Sequence, residues 1–246
     1  MHRYQILIEY VGTNFIGWQI QSKGNSIQKL IQNKISKLLK EKIRLIGSGR
    51  TDKGVNAWGQ SAHFDTKKKI INVKKFIQSL NFFLNQKLIS ITEIKKRNLN
   101  FHARYSAKER IYEYIILNRI APPSLDKNKV WHIRKKLDLE IMKKGAKKLL
   151  GTHDFSTFRA SNCYSKSPIR TMKKINIKRI NKKVVIQFKS KSFLRNQVRS
   201  MVGCLKYLGE KKWSLKKFTE VFKSKKRTLC APPAPSHGLF LEKVIY

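Results

Sequence analysis

Acidic residues are scarce in this chain. Its 246 residues hold 14 Asp and Glu against 55 Lys and Arg, giving a formal charge of +41 and a pI near 10.5. So little acid leaves a field that attracts polyanions over a wide surface, with RNA, DNA and an anionic membrane as candidates. The 41 lysines outnumber the 14 arginines, and Ile and Asn are abundant. An AT-rich genome produces that pattern at tolerant surface sites, so charge alone favours a nucleic-acid partner only modestly. The lysines are spread along the chain and form no basic tail, which argues against a disordered arm. Cysteine is also sparse: Cys163, Cys204 and Cys230 are odd in number, and none sits in a C-x-x-C pair. The chain enters a strand-like pattern almost at once, with no signal peptide, and the expectation is a reduced, cytoplasmic protein. No apolar run is long enough to span a bilayer. The six histidines show no metal-ligand spacing, which argues against a zinc site. What is plentiful is core material. Hydrophobic residues make up 41% and aromatics 10%, enough for one large domain or two small ones sharing a core.

Residues 3–10 alternate, with Tyr4, Ile6, Ile8 and Tyr10 on one face, and predict a strand. Ser26 is a good N-cap for a helix through Ile27, Leu30, Ile31, Ile35, Leu38 and Leu39. A short strand over Ile43–Ile46 leads to a glycine-rich loop, then a strand over 59–65, a helix over 73–84 and a strand over 88–94. That order, β-α-β-β-α-β, is the ferredoxin-like arrangement. The second half reads similarly. It has a strand at 110–118, a linker with Pro122 and Pro123, and a helix from Asp138 to Gly151. Strands near 170–180 and 183–189 follow about a turn at Asn181 and Lys182. Helices near 194–208 and 214–224 precede a last strand at 238–244. The expectation is an α+β protein of two fused ferredoxin-like (βαββαβ) halves, 1–105 and 106–246. Their strands would form a mixed, largely antiparallel sheet with helices on one side and a central basic cleft.

The most unusual stretch is Gly47-Ser48-Gly49-Arg50-Thr51-Asp52-Lys53-Gly54-Val55-Asn56-Ala57. Glycines allow tight turns and close backbone approach. An Asp among them can close an Asx-turn or cap a helix, or it can be presented from a rigid loop for chemistry. The stretch is not a P-loop, because Gly-Lys-Ser/Thr is absent.

GRTDKGVNA resembles the GRTDxGVxA motif of the tRNA pseudouridine synthase A family. Further blocks resemble that family in the same order: Gly12 to Gln19, Phe101-His102-Ala103-Arg104, Tyr112-Glu113-Tyr114, His153-Asp154-Phe155 with Phe158-Arg159-Ala160, Phe193-Leu194 through Val198-Arg199, and Gly238-Leu239. They span nearly the whole chain. The resemblance implies conversion of uridine to pseudouridine at positions 38–40 of the tRNA anticodon stem-loop, by a homodimer that uses no cofactor and no metal.

The resemblance also implies roles. Asp52 matches the catalytic aspartate, attacking either the uracil or the ribose C1′, and a carboxylate nucleophile has to be ionised. Arg199 matches the cation paired with it. Tyr112 matches a tyrosine that stacks on the target base, although Tyr114 lies on the same strand face and spacing does not separate the two. Leu239 matches an apolar residue closing the pocket, and Arg50 an arginine supporting a flipped-out nucleotide. Apart from the resemblance, Tyr112 and Leu239 read equally as core, and Arg50 as a phosphate contact. Arg195 and Lys206 read as a solvated basic face or as phosphate contacts. Lys53, Asn56 and Gln197 stand where many members have Ala, His and Met, which bears on target choice. Two other readings stay open: a pseudouridine synthase for other RNA sites, and a non-catalytic basic RNA-binding module.

Overall fold

A computed structural model describes residues 1–246, with ten strands, most of them in antiparallel pairs, and five α-helices. The architecture is mixed α+β. The chain divides into two compact units, Met1–Lys108 with Leu241–Tyr246, and Glu109–Phe240. No helix is long and apolar enough to cross a membrane.

The first unit is built on β1 (His2–Tyr10), flanked by β3 (Asn56–Thr66) and β4 (Ile89–Arg97), both antiparallel to it. The alternation read from sequence is realised: Tyr4, Ile6, Ile8 and Tyr10 are all buried. Helix α1 (Ile27–Leu39) starts where Ser26 accepts the Lys29 amide and ends at Lys40, whose φ is +50°. Ile27, Ile31, Ile35 and Leu39 are its buried stripe, while Leu38 is exposed. Helix α2 (Val73–Leu84) is capped by Asn72 and buries only Leu80 and Leu84. Phe82 and Phe83 face outward.

The strand expected at Ile43–Ile46 is not there. Strand β2 is Ile46–Gly47, two residues paired with His63 and Ala62 of β3. Before it the backbone bonds to α1 side chains instead of a strand. Ser36 Oγ accepts from Ile43 N at 3.1 Å, Gln32 Oε1 accepts from Leu45 N at 3.1 Å, and Gln28 Nε2 donates to Leu45 O at 2.7 Å. Ile43 and Leu45 are buried, so their spacing reflects an extended segment packed along a helix.

His63 of β3 is buried, and its Nδ1 accepts the Ala103 amide at 3.1 Å. Burial, helped by the Arg3 and His102 charges, lowers its pKa to about 4. The unfolded chain takes up this proton near pH 6.5, the folded one only near 4. The stability contribution is therefore complete above pH 6.5 and is lost as the pH falls toward 4. Allowing for screening, the loss is about 2 kcal/mol. A His63→Gln variant keeps an acceptor for Ala103 and is expected to flatten this stretch of the curve. An unchanged slope of urea-unfolding stability between about pH 7 and pH 4.5 would contradict the assignment.

The second unit holds β5 (Glu109–Asn118), β9 (Lys183–Ser190), β8 (Ile169–Ile180) and β7 (Gly151–Asp154) in antiparallel pairs, with β6 (Trp131–Ile133) parallel to β5. The hairpin turn at Asn181 and Lys182 is as read, with Asn181 at φ +54°. Strands β6 and β7 are too short to leave a periodic signal. Asp138 caps α3 (Leu139–Lys147) by accepting from the Glu140 and Ile141 amides. The helix ends four residues before Gly151, because its last turn tightens: Lys148 N donates to Gly145 O, and Leu149 N to Ala146 O. Helix α4 (Gln197–Gly209) starts later than expected, after Asn196 at φ +62° breaks the turn. Ser214 caps α5 (Leu215–Lys223), and β10 (Leu239–Ile245) ends the chain.

Candidate active site

Asp52 lies in the loop between β2 and β3, and that loop is clamped at several points. At its start Ser48 N donates to Ser61 O at 2.7 Å, Ser48 Oγ to Gln60 Oε1 at 2.7 Å, and Gln60 Nε2 to Gly49 O at 3.0 Å. Beside the aspartate, Thr51 Oγ1 lies 2.8 Å from the Tyr10 hydroxyl, and Thr51 O accepts the Trp18 amide at 3.0 Å. Asp52 O accepts from Val55 N at 3.1 Å, and Gly54 has φ +78°. That is a turn with left-handed backbone at its third position, which needs glycine. At the far end Asn56 Oδ1 accepts the Gly12 amide at 2.8 Å.

Each clamp reaches from β1 or the 12–18 segment behind it, or from β3. Gly17, at φ +119°, lies so close that a Cβ on it would stand 2.6 Å from Thr51 O and 3.3 Å from the Asp52 carbonyl carbon. A half-buried carboxylate on a backbone fixed at this many points keeps its position while a substrate arrives. Arg50, next to it in the chain, is exposed, and its Nε donates to Gln19 Oε1 at 3.2 Å.

Arg199, Tyr112 and Leu239 belong to the second unit. Arg199 is in the first turn of α4, half-buried. Its Nε donates to Ala234 O at 2.6 Å and its Nη1 to Asn196 Oδ1 at 3.3 Å, while Ala234 N donates to Arg199 O at 3.0 Å. The guanidinium is thereby locked to Ala234, in the segment that runs into Leu239, itself buried. Tyr112 is 9% exposed and meets Phe193 edge to face, with ring centroids 5.2 Å apart. Tyr114 is distinct from it. Its ring is fully buried, its hydroxyl donates to Pro235 O at 2.8 Å, and a Cβ on Gly238 would meet that ring at 2.8 Å. Burial raises the Tyr114 phenol far above its ordinary value and, with the Arg199 charge nearby, lowers His237. The structure thus separates two tyrosines that strand spacing left equivalent.

Lys206 departs from the solvated lysine read in the sequence. Its side chain is 15% exposed, pairs with Glu210 at 2.8 Å and lies over the Trp131 ring. Gln197, where the resemblance has Met, is fully buried. Its Oε1 accepts the Leu194 amide at 2.8 Å, and its Nε2 has no partner. The residues that sequence reasoning missed are the clamps: Tyr10, Gly12, Gly17, Trp18, Asn56 and Gln60. Several stand within the quoted blocks, but no spacing rule connects them to the Asp52 loop.

The profile of the tRNA pseudouridine synthase family matches residues 6–106 and 146–246 of this chain. The chain belongs to that family. Over all 246 residues it is 70% identical to the tRNA pseudouridine synthase A of Pelagibacter ubique, covering 100% of both proteins. It is 42% identical to that of Paramagnetospirillum magneticum, covering 96% of it, and 39% identical to that of Parvibaculum lavamentivorans, covering 100% of it. The 12–19 segment, the Asp52 loop, Arg199 and Leu239 fall inside the matched stretches, and Tyr112 falls between them. Pseudouridine synthases are isomerases, and the chain is an enzyme of that class.

Proposed function

We propose that this protein isomerises uridine to pseudouridine in tRNA, at positions 38–40 of the anticodon stem-loop, with Asp52 as the nucleophile. Family membership over the full length, joined to an Asp52 loop clamped at both ends, carries the reading. The target nucleotide is flipped out of the stem at a cost of a few kcal/mol, and the arginine-bearing loop supports it there. Asp52 attacks the uracil or the ribose C1′. By either route the glycosidic bond breaks, the uracil turns in the pocket, and a bond forms from C1′ to C5 while the C5 hydrogen leaves as a proton. Arg199 favours the ionised carboxylate, Tyr112 stacks on the base, Leu239 closes the apolar side, and Arg50 holds the extruded nucleotide. No cofactor or metal takes part. The reading includes two ferredoxin-like halves, 1–105 and 106–246, a basic cleft for the tRNA, a homodimer and a cytoplasmic location.

Mapping pseudouridine in a tRNA transcript treated with the protein tests this reading. Modification confined to uridines 38–40, and lost when those uridines are replaced by cytidine, is the expected result. Modification outside the anticodon arm overturns the site assignment and supports a different RNA target.

A further inference from the structure

The second unit carries a basic hollow that the catalytic reading does not use. It has a volume of about 340 Å3 and is lined by Arg119, Arg134, Lys136, Arg179 and Lys182, together with Asn118, Ile120 and Asn181. No carboxylate lines it. The nearby acids are engaged elsewhere: Asp126 pairs with Lys183 at 2.7 Å, and Asp138 caps α3 and lies 3.8 Å from Lys211.

The cations are held on a common scaffold. Asn118 is buried and fully bonded. Its Nδ2 donates to Ile133 O at 2.9 Å and Lys135 O at 2.7 Å, and its Oδ1 accepts from Leu137 N and Arg179 Nη2, each at 3.2 Å. Its backbone N–H donates to Lys182 O at 2.8 Å. One residue therefore fixes, by its side chain, the backbone that presents Arg134 and Lys136 and the guanidinium of Arg179, and, by its backbone, the turn that presents Lys182. Arg119 is steadied by Ala121 O at 2.9 Å and Pro122 O at 3.1 Å. Most of this hollow comes from the 107–145 stretch that the family profile does not match.

A high lysine content explains solvated basic faces. It does not explain five like charges drawn around one concavity by a buried asparagine. Such a group repels itself and gains from an anion placed among its members. We infer that this hollow binds phosphodiester groups of the tRNA backbone, as a docking site that takes no part in the chemistry. The inference rests on tRNA being the substrate. Contacts of this kind position an RNA without reading its sequence.

The test is an Arg134→Gln/Lys136→Gln/Lys182→Gln triple variant, set against Lys216→Gln/Lys217→Gln/Lys223→Gln, which removes the same charge from exposed positions on α5. The hollow variant is expected to raise KM for whole tRNA about tenfold with kcat within about twofold, and to lower the slope of log Kd against log salt by about two. The α5 variant is expected to change KM by less than about threefold. Both triples remove exposed like charges, so their thermal unfolding midpoints should not fall below wild type. Lys182→Gln alone, on the hairpin turn, should show a smaller KM shift of the same kind. Equal effects of the two triples, no effect, or a fall in kcat with KM unchanged would each overturn the docking site. Absence of turnover by the wild type with the salt-slope difference intact would overturn the catalytic reading and leave the hollow standing.

Discussion

An Asp52→Asn variant is expected to bind tRNA as tightly as wild type, or slightly more tightly, and to lose at least about four orders of magnitude in kcat. That loss corresponds to about 5 kcal/mol of transition-state stabilisation. The amide keeps the size and shape of the carboxylate but is no nucleophile, so the first bond to the substrate is not made. Binding should survive because the loop is held by backbone atoms and by the side chains of Tyr10, Gln60 and Asn56, all of which the variant keeps. Removing one negative charge from a protein that binds a polyanion favours association. Filter binding alongside product analysis reads both quantities. A variant that retains more than about one per cent of wild-type kcat would show that another group starts the reaction.

The second large effect is expected from a residue with no functional group. Gly17→Ala adds one methyl at a backbone with φ +119°, aimed at Thr51 O 2.6 Å away. Alanine is strained there whatever the space, at about 1–3 kcal/mol, and the contact pushes on the residue just before Asp52. A displacement of about 1 Å in a reacting group costs on the order of a hundredfold in rate. The expectation is a kcat lowered about a hundredfold, beside a loss of stability of about 2 kcal/mol. Gly151→Ala is the matched control. Gly151 also has positive φ, +95°, but its Cβ would meet only His153 Nε2 at 3.4 Å, and it lies in the second unit at the start of β7. It should lose similar stability through strain and keep its kcat. If both variants keep wild-type kcat, the clamp from residues 12–18 does not position Asp52.

Legibility in the sequence followed the kind of interaction involved. The alternation of β1, the Ile27-Ile31-Ile35-Leu39 stripe of α1, and the caps Ser26 and Asp138 were readable. Each is a local rule in which side chain and backbone lie within a few residues of each other. The stretch at Ile43–Leu45 misled because an extended segment bonded to helix side chains has the same apolar spacing as a strand. Lys206 misled because a helical wheel cannot show that Glu210 and Trp131 cover that face. Around Asp52 the motif was legible through resemblance, but its clamps were not. Tyr10 to Thr51 and Gly12 to Asn56 join residues 41 and 44 positions apart, and the Gly12 partner is a backbone amide with no signature of its own. Tyr112 and Tyr114 share a strand face, and only the Pro235 carbonyl and the close approach of Gly238 separate them.

The most direct test of the central claim follows the hydrogen that the reaction must expel. In a tRNA transcript labelled with tritium at C5 of its uridines, forming the carbon–carbon bond at C5 releases that label to water. Wild-type protein is predicted to release about one equivalent of tritium per modified uridine, in step with pseudouridine formed, with none released by Asp52→Asn. Tight binding of the labelled tRNA by wild type with no tritium released from any tRNA tried would contradict the account and leave a basic RNA-binding protein in its place.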